Sequence, residues 1–120
     1  MKVLIADDDR FMRTYLRDVL TAEGCSVVEA ADGSSAVEAV ARELPDVVFL
    51  DLLMPKLNGF DALRQIRANH PRARVALLTA LSDSTAARLG DRAEPDAYLE
   101  KPFKPSQVQA VLRQLTGARA

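Results

Sequence analysis

The sequence has only one cysteine, no tryptophan and no long apolar run. The single cysteine, Cys25, cannot form an internal disulfide, and neither a Cys-x-x-Cys motif nor a His/Cys cluster is present for zinc. No apolar run approaches the roughly 18 residues that span a bilayer, and the N-terminus lacks a basic segment followed by an apolar one. We therefore expect a protein of the reducing cytoplasm that is neither secreted nor embedded in a membrane.

An excess of charge of one sign is also missing. Sixteen Lys and Arg residues oppose 17 Asp and Glu residues, which leaves a formal net charge of -1. Such a chain has no overall basic field to hold nucleic acid through counterion release, so we expect no direct nucleic-acid binding. With 48% hydrophobic and 28% charged residues, the chain is typical of one folded domain over residues 1–120.

Five short apolar segments predict β-strands. Those at 2–6, 46–50 and 74–79 are nearly continuous rather than alternating, which is typical of strands buried on both faces of a parallel sheet. The other two lie at 26–30 and 97–100. The first three are therefore expected to be central in the sheet.

Five segments with helical spacing alternate with these strands. Apolar residues recur at i, i+3 or i+4, and i+7, the repeat of an amphipathic helix. The predicted helices lie at 12–20, 37–44, 59–69, 83–90 and 108–115, and the fourth has the weakest apolar face. Strict alternation implies right-handed crossovers and a parallel α/β sheet with helices on both faces. Ligands then bind at the carboxyl ends of the strands.

Reactive side chains fall at the predicted carboxyl ends of four strands: Asp7 and Asp8, Asp51, Thr79, and Lys101. If the first and third strands are neighbours, their ends lie about 5 Å apart, so three carboxylates share one small space and need a cation. Oxygen ligands without His or Cys favour Mg²⁺, which commonly binds one or two carboxylates together with water and a phosphate. A lysine and a hydroxyl on the other side would contact phosphate oxygens. The set predicts phosphoryl transfer, in which an aspartate can be the acceptor.

Four segments resemble the receiver domain of two-component response regulators. They are "VLIADDD" at 3–9, "VVFLDLLMPKLNGFD" at 47–61, "VALLTA" at 75–80 and "AYLEKPF" at 97–103, and the resemblance extends over the whole chain. It implies a flavodoxin-like (βα)5 fold, a doubly wound parallel sheet of five strands in the order 2-1-3-4-5.

The resemblance also implies which residues hold the metal. Asp51 is expected to be the phosphoacceptor and to contribute to the metal site. Asp8 is expected to bind Mg²⁺ directly, with Mn²⁺ as an alternative, and Asp7 to act mostly through metal-bound water. The main-chain carbonyl of Leu53 is expected to complete the site.

The remaining roles concern the phosphoryl group and the response to it. Thr79 and Lys101 are expected to bind the phosphoryl group, and the Lys101-Pro102 peptide is expected to be cis. Tyr98 is expected to be an aromatic switch that turns inward when Thr79 moves. The change would pass through the fourth helix, the fifth strand and the last helix.

The implied function is that of a phosphoacceptor in a His–Asp phosphorelay. The phosphoryl group would come from a sensor histidine kinase or a phosphotransfer protein, and the transfer would be self-catalysed. Because autodephosphorylation is expected to be slow, the domain is a switch rather than a turnover enzyme. Its partners would be a downstream effector protein or domain, or a second copy bound through the fourth-helix, fifth-strand and last-helix face.

Several neighbouring residues have structural interpretations. Asp9 precedes a helix and is expected to cap it rather than to bind the metal. Asn58 is expected to cap the helix at 59–69, Gly59 to admit that helix close to the loop after the third strand, and Gly117 to end the last helix.

Two apolar residues bear on the lifetime of the phosphorylated state. Leu53 and Leu81 each lie two residues beyond Asp51 and Thr79. In the family that the sequence resembles, these positions flank the path of the hydrolytic water. Since neither side chain can orient that water, we predict a long-lived phosphoryl group.

Two other functions remain open. One is a receiver-like docking or dimerisation module that no longer depends on phosphorylation, although the intact acidic cluster with Thr79 and Lys101 argues against it. The other is a phosphatase, because Asp7-x-Asp9 resembles the start of haloacid-dehalogenase-type enzymes. That pattern has Thr or Val where Phe11 stands, and it leaves Asp51 without a role.

Overall fold

A computed structural model describes residues 1–80 and 95–117. The described strands and helices are β1 (Lys2–Ala6), α1 (Arg10–Ala22), β2 (Ser26–Ala30), α2 (Gly33–Glu43), β3 (Val47–Asp51), α3 (Gly59–Asn69), β4 (Arg74–Thr79), β5 (Ala97–Glu100) and α4 (Pro105–Thr116). The predicted helix at 83–90 and Leu81 lie outside the described residues, so α4 denotes the C-terminal helix.

The five strands form one parallel sheet in the order β2-β1-β3-β4-β5. This confirms the α/β class and the flavodoxin-like order that the resemblance implied. Every residue of β3 is buried, while the edge strands β2 and β5 are partly exposed. The near-continuous apolar segments are therefore the central strands, as expected, because helices cover both of their faces.

The third strand ends one residue later than its apolar run. Asp51 is paired with Leu78 of β4, so the hydrogen-bonded ladder includes the aspartate. The predicted start at Asp46 is wrong by the same one residue. Asp46 precedes the strand, and its carboxylate accepts the main-chain N–H of Lys2 at 2.8 Å.

Two apolar layers lie on opposite sides of the sheet. On one side, Leu4, Val48 and Leu77 of the strands pack with α2 and α3. On the other side, Ile5 and Phe49 pack with α1 and α4. Alternate strand residues thus point to opposite apolar layers. At the carboxyl ends of β1, β3, β4 and β5 the side chains are polar.

Three helix ends have the predicted caps. The Asp9 carboxylate accepts the N–H of Phe11 at the start of α1, and the Asn58 side chain accepts the N–H of Asp61 at the start of α3. Gly117 ends α4 in the left-handed conformation, with φ of 63°. All three predictions are confirmed. None of the helices within residues 1–80 and 95–117 is long and apolar enough to cross a membrane.

Candidate functional site

The five side chains predicted at the strand ends lie at one edge of the sheet. Asp7 and Asp8 follow β1, Asp51 and Thr79 are the last residues of β3 and β4, and Lys101 follows β5. One carboxylate oxygen from each of the three aspartates lies within 4.8 Å of the other two. The structure therefore brings together residues that are up to 94 positions apart in the chain.

The three carboxylates differ in their access to solvent. Asp7 is 0% exposed and Asp51 is 6% exposed, whereas Asp8 is exposed. Thr79, on the strand next to β3, is 2% exposed. The site therefore has a buried floor that contains the aspartate predicted to be the acceptor, and an open side at Asp8.

Lys101 places its ammonium group between the two buried carboxylates. Its Nζ lies 3.1 Å from Asp7 Oδ2 and 3.4 Å from Asp51 Oδ1. Its main-chain N–H donates to the carbonyl of Thr79 at 2.7 Å, which continues the strand pairing into the site. The Lys101-Pro102 peptide is cis, as predicted.

Asp7 is held by contacts to its main chain and to its carboxylate. Its N–H donates to the carbonyl of Ala30 at 3.1 Å, and its Oδ1 accepts the N–H of Asp9 at 2.9 Å. Its carbonyl accepts a hydrogen bond from Arg13 Nη1 at 2.7 Å. The orientation of this buried carboxylate is therefore determined before any cation binds.

Burial and charge shift the pKa values of the central pair. Burial, and then the negative charge of Asp7, raise the pKa of Asp51 to about 6, although Lys101 and the N–H of Leu53 favour its ionised form. For Lys101, burial by itself favours the neutral amine, but the Asp51 and Asp7 carboxylates outweigh it and raise the pKa of the ammonium group. Lys101 is therefore cationic at neutral pH.

The chemistry of the donor set fits a hard divalent cation. The cluster has three carboxylates and one ammonium group, so it carries excess negative charge, and its potential ligands are all oxygens. Asp8 provides the exposed side through which an ion can enter. Asp7, Asp8 and Asp51 are thus placed to hold Mg²⁺.

Leu53 follows Asp51 by two residues, and Tyr98 precedes Lys101 by three. The Leu53 N–H bonds the Asp51 carboxylate, while the leucine side chain is 66% exposed. Tyr98 is half-buried in β5, opposite Leu77 of β4, and packs against the α2 and α3 side of the core. The Leu53 carbonyl as a metal ligand and Tyr98 as a switch stay predictions.

Two α1 residues next to the site were missed by the sequence analysis. Arg13 contacts Asp7 and also donates from Nε to Glu29 on β2 at 3.1 Å, and Tyr15 donates its hydroxyl to the carbonyl of Phe103 at 3.1 Å. In the sequence they are an ordinary polar residue and an ordinary aromatic residue of an amphipathic helix. The signal available in the sequence was their place in the first two turns of the helix that follows the three aspartates.

The sequence of the chain is similar to those of response regulators. The family profile described as the response regulator receiver domain matches residues 3–113. The response regulator MprA from Mycobacterium leprae is 42% identical over 116 residues, which cover 96% of this chain and 50% of that protein. The chemotaxis protein CheY from Thermotoga maritima is 35% identical over 116 residues, which cover 96% of this chain and 97% of that protein. The chain thus spans half of the mycobacterial relative and nearly all of the Thermotoga one.

Solved structures of similar fold include two isolated receiver domains. The receiver domain of NtrX from Brucella abortus has a TM-score of 0.88 and 27% identity, over 98% of this chain and 99% of that one. The receiver domain of the sensor histidine kinase PA1611 from Pseudomonas aeruginosa has a TM-score of 0.87 and 32% identity, over 98% of each chain. The PA1611 structure has a magnesium ion coordinated in its active-site cleft.

Proposed function

Because the chain belongs to the response regulator receiver domain family of two-component signalling, we propose that Asp51 accepts a phosphoryl group from a phosphohistidine. The observation that carries this proposal is the environment of Asp51. Its carboxylate is 6% exposed, lies next to Asp7 and Asp8, and has the Lys101 ammonium group 3.4 Å away. A carboxylate nucleophile with a cation held beside it is an arrangement that favours phosphoryl transfer.

The transfer exchanges one bond to phosphorus for another. An ionised oxygen of Asp51 attacks phosphorus, the bond from phosphorus to the histidine nitrogen breaks, and its electron pair stays on the imidazole, which takes a proton from solvent. The product is an aspartyl phosphate. Since the pKa of Asp51 is about 6, its ionised, nucleophilic form predominates at neutral pH even before a cation binds.

Mg²⁺ is the cofactor in this proposal, with Mn²⁺ as an alternative. Asp7, Asp8 and Asp51 would hold it, together with the main-chain carbonyl of Leu53. When bound, it neutralises the charge between the carboxylates and the incoming phosphoryl oxygens. The magnesium ion in the PA1611 receiver domain supports this assignment.

Lys101 and Thr79 would bind the transferred group. The Lys101 ammonium already lies between Asp7 and Asp51, so it can exchange its contact with Asp51 for one with a phosphoryl oxygen. Thr79 ends the strand next to β3, and a threonine hydroxyl can donate a hydrogen bond to a phosphoryl oxygen. Tyr98 would report the change through β5 and α4, so the domain acts as a switch rather than a turnover enzyme.

The phosphodonor in this proposal is a sensor histidine kinase or a phosphotransfer protein. Phe11, which is 85% exposed, and Leu53, which is 66% exposed, give the edge around the acidic cluster an apolar border that a protein partner can cover. The receiving partner is an effector protein or domain, or a second copy of the chain. The free, buried thiol of Cys25 fits a reducing, cytoplasmic setting.

The experiment is phosphorylation by a small donor. The protein is incubated with Mg²⁺ and acetyl phosphate, and its intact mass is measured. We expect the mass of one phosphoryl group to be added, to be lost in Asp51→Asn, and to be retained in the control Asp18→Asn, which changes an exposed carboxylate of α1 in the same way.

Other outcomes separate the alternatives. A wild-type protein that gains no mass would contradict the proposal and favour a docking module. Steady hydrolysis of acetyl phosphate, with the label on Asp7, would favour a phosphatase.

A further inference from the structure

Helix α1 is hydrogen-bonded to Asp7 and to the segment that follows Lys101, the two sides of the Lys101–Asp7 ion pair. These two residues are 94 positions apart, and their atoms meet at 3.1 Å. Tyr15 reaches the segment that begins with Lys101, and Arg13 reaches the main chain of Asp7. One helix therefore has a hydrogen bond to each side of the cluster.

Tyr15 is bonded to the lysine side of the pair. Its hydroxyl donates to the main-chain carbonyl of Phe103 at 3.1 Å, and the two rings lie 5.9 Å apart between centroids, tilted by 40°. Phe103 is only 8% exposed and packs in the apolar layer shared by α1 and α4. The main chain two residues after Lys101 is thus tied to α1.

The other attachments of this segment run in different directions. The Lys101 N–H bonds the carbonyl of Thr79 on β4, and the Lys104 N–H bonds the Gln107 side chain in the first turn of α4. These contacts hold the segment to the sheet and to its own helix. Tyr15 adds the bond toward α1, the helix that starts beside Asp7.

Arg13 is bonded to the aspartate side of the pair. Its guanidinium donates to the Asp7 carbonyl at 2.7 Å and to a Glu29 carboxylate oxygen at 3.1 Å, while Arg17 binds the other oxygen of Glu29 at 2.7 Å. The Arg13 side chain is 18% exposed. A half-buried guanidinium that makes two hydrogen bonds holds its planar donors in one orientation.

We propose that Tyr15 and Arg13 are positioning residues, with Tyr15 fixing the segment of Lys101 and Arg13 fixing the main chain of Asp7. The relevance of this pair to phosphoryl transfer rests on the proposed function. The lysine side chain is flexible, so its ammonium group can reach many positions. A fixed main chain limits those positions and thereby the distance between the ammonium and an oxygen. Displacement of reacting groups by about 1 Å can cost large factors in rate.

The first test separates the two sides of the site. Tyr15→Phe keeps the ring and removes the hydroxyl, so we expect the rate constant for phosphorylation of Asp51 by acetyl phosphate to fall about three- to tenfold. The Kd for Mg²⁺ without a donor should change less than the rate constant does, because Lys101 contacts the ligands Asp7 and Asp51 without binding the metal itself. Arg13→Gln should weaken Mg²⁺ binding about three- to tenfold, because it releases Asp7.

A matched control distinguishes positioning from general destabilisation. Val19 is on the same helix and packs in the same apolar layer, but neither of the two hydrogen bonds involves it. Val19→Ala should lower stability and leave both the rate constant and the Kd unchanged. If Val19→Ala lowers the rate constant as much as Tyr15→Phe does, the inference is wrong.

A second readout needs neither metal nor phosphate. Lys101 is acetylated with acetic anhydride in the metal-free protein, and mass spectrometry compares its labelling with that of Lys2 and Lys56, which are remote from Tyr15. We expect Tyr15→Phe to raise Lys101 labelling about threefold or more, since a side chain that leaves its carboxylates more often presents its free amine to the anhydride.

The two readouts also separate this inference from the proposed function. If Lys101 labelling rises in Tyr15→Phe while the wild type gains no phosphoryl group, positioning stands and the proposed function fails. If the wild type is phosphorylated but Tyr15→Phe changes neither the rate constant nor the labelling, the proposed function stands and the positioning role of Tyr15 is wrong.

Discussion

At the scale of single residues, Asp51 is the group with the strongest electrostatic conflict. Burial and the charge of Asp7 raise its pKa from 3.8 to about 6, while Lys101 and the N–H of Leu53 act in the other direction. The ionised form of the Asp51 carboxyl is therefore less favourable in the metal-free folded protein than in the unfolded chain. A site that holds its acceptor in this way gains stability when a cation binds.

Replacing Asp51 should therefore stabilise the metal-free protein. The pKa of Asp51 is higher in the folded protein than in the unfolded chain. Its contribution to stability is therefore fully present below pH 3.8 and is lost as the pH rises through about 6. Above that pH the shift, which already includes the favourable Lys101 contact, corresponds to about 3 kcal/mol of destabilisation relative to a protonated carboxyl. We expect Asp51→Asn to be about 1–2 kcal/mol more stable than wild type at pH 7.5 in urea unfolding with EDTA.

The pH dependence provides the control for this prediction. The difference between the two proteins should shrink as the pH approaches 4, where the wild-type carboxyl is protonated in the fold. A variant that is less stable than wild type at pH 7.5 would contradict the raised pKa.

Leu53 determines a second effect at this scale, the lifetime of the proposed aspartyl phosphate. Its side chain is 66% exposed next to Asp51 and has no polar group that could orient water. We expect Leu53→Asn or Leu53→Glu to raise the dephosphorylation rate constant roughly tenfold, measured as loss of the phosphorylated mass after the donor is removed. Leu44→Asn is a matched control, because Leu44 is also 66% exposed and lies at the C-cap of α2. An unchanged rate in both Leu53 variants would refute the prediction.

At the scale of elements, the starts of two helices border the acidic cluster. α1 begins directly after the three aspartates, and α3 begins at Gly59, whose N–H donates to the Leu52 carbonyl at 2.7 Å. A Cβ at Gly59 would lie 2.6 Å from both the Asp51 carbonyl oxygen and Leu52 Cα. The helix therefore packs directly against the main chain of the proposed acceptor, which a side chain at this position would prevent.

Of the three adjacent aspartates, Asp9 caps α1, whereas Asp7 and Asp8 belong to the acidic cluster. The Asp9 carboxylate accepts the N–H of Phe11 at 3.0 Å and is not part of the cluster of Asp7, Asp8 and Asp51. We expect Asp9→Ala to lower the free energy of unfolding by about 1 kcal/mol while leaving the Kd for Mg²⁺ within about twofold. Asp9→Asn should retain the stability, because asparagine caps equally well. A large loss of Mg²⁺ affinity in Asp9→Asn would show that Asp9 has a role in the metal site.

At the scale of the whole molecule, the site exists only when the sheet is assembled. Its side chains come from the ends of β1, β3, β4 and β5, which become neighbours only in the folded protein. An ion that binds this cluster binds the native state and not the unfolded chain, so site occupancy and folding are linked.

Mg²⁺ should therefore raise the thermal stability of the entire domain. At a concentration about 100 times the Kd, the gain is about 2.7 kcal/mol, which corresponds to a Tm increase on the order of 10 °C for a domain of this size. We expect EDTA to abolish the increase and Asp8→Asn to remove most of it, as measured by differential scanning calorimetry. Asp18→Asn, an exposed carboxylate outside the cluster, should respond like wild type. An equal Tm increase in Asp8→Asn would mean that Mg²⁺ binds elsewhere.

Much of the fold could be predicted from local patterns. The alternation of buried runs and helical spacing determines the order of strands and helices, since each pattern depends on neighbouring residues. The strand order required the family resemblance, because periodicity does not say which strands pair. The candidate ligands were recognisable because Asp7, Asp51 and Thr79 directly end or follow apolar runs.

By itself, the sequence determined the α/β class and the residues at the reactive edge. Only the tertiary structure decided that Asp7 is buried while its neighbour Asp8 is exposed, and that Lys101 lies between Asp7 and Asp51. It also decided that Tyr15 meets a carbonyl 88 positions away. These contacts depend on where helices cross the sheet, and that is set by packing between distant segments, which leaves no periodic signal in the sequence.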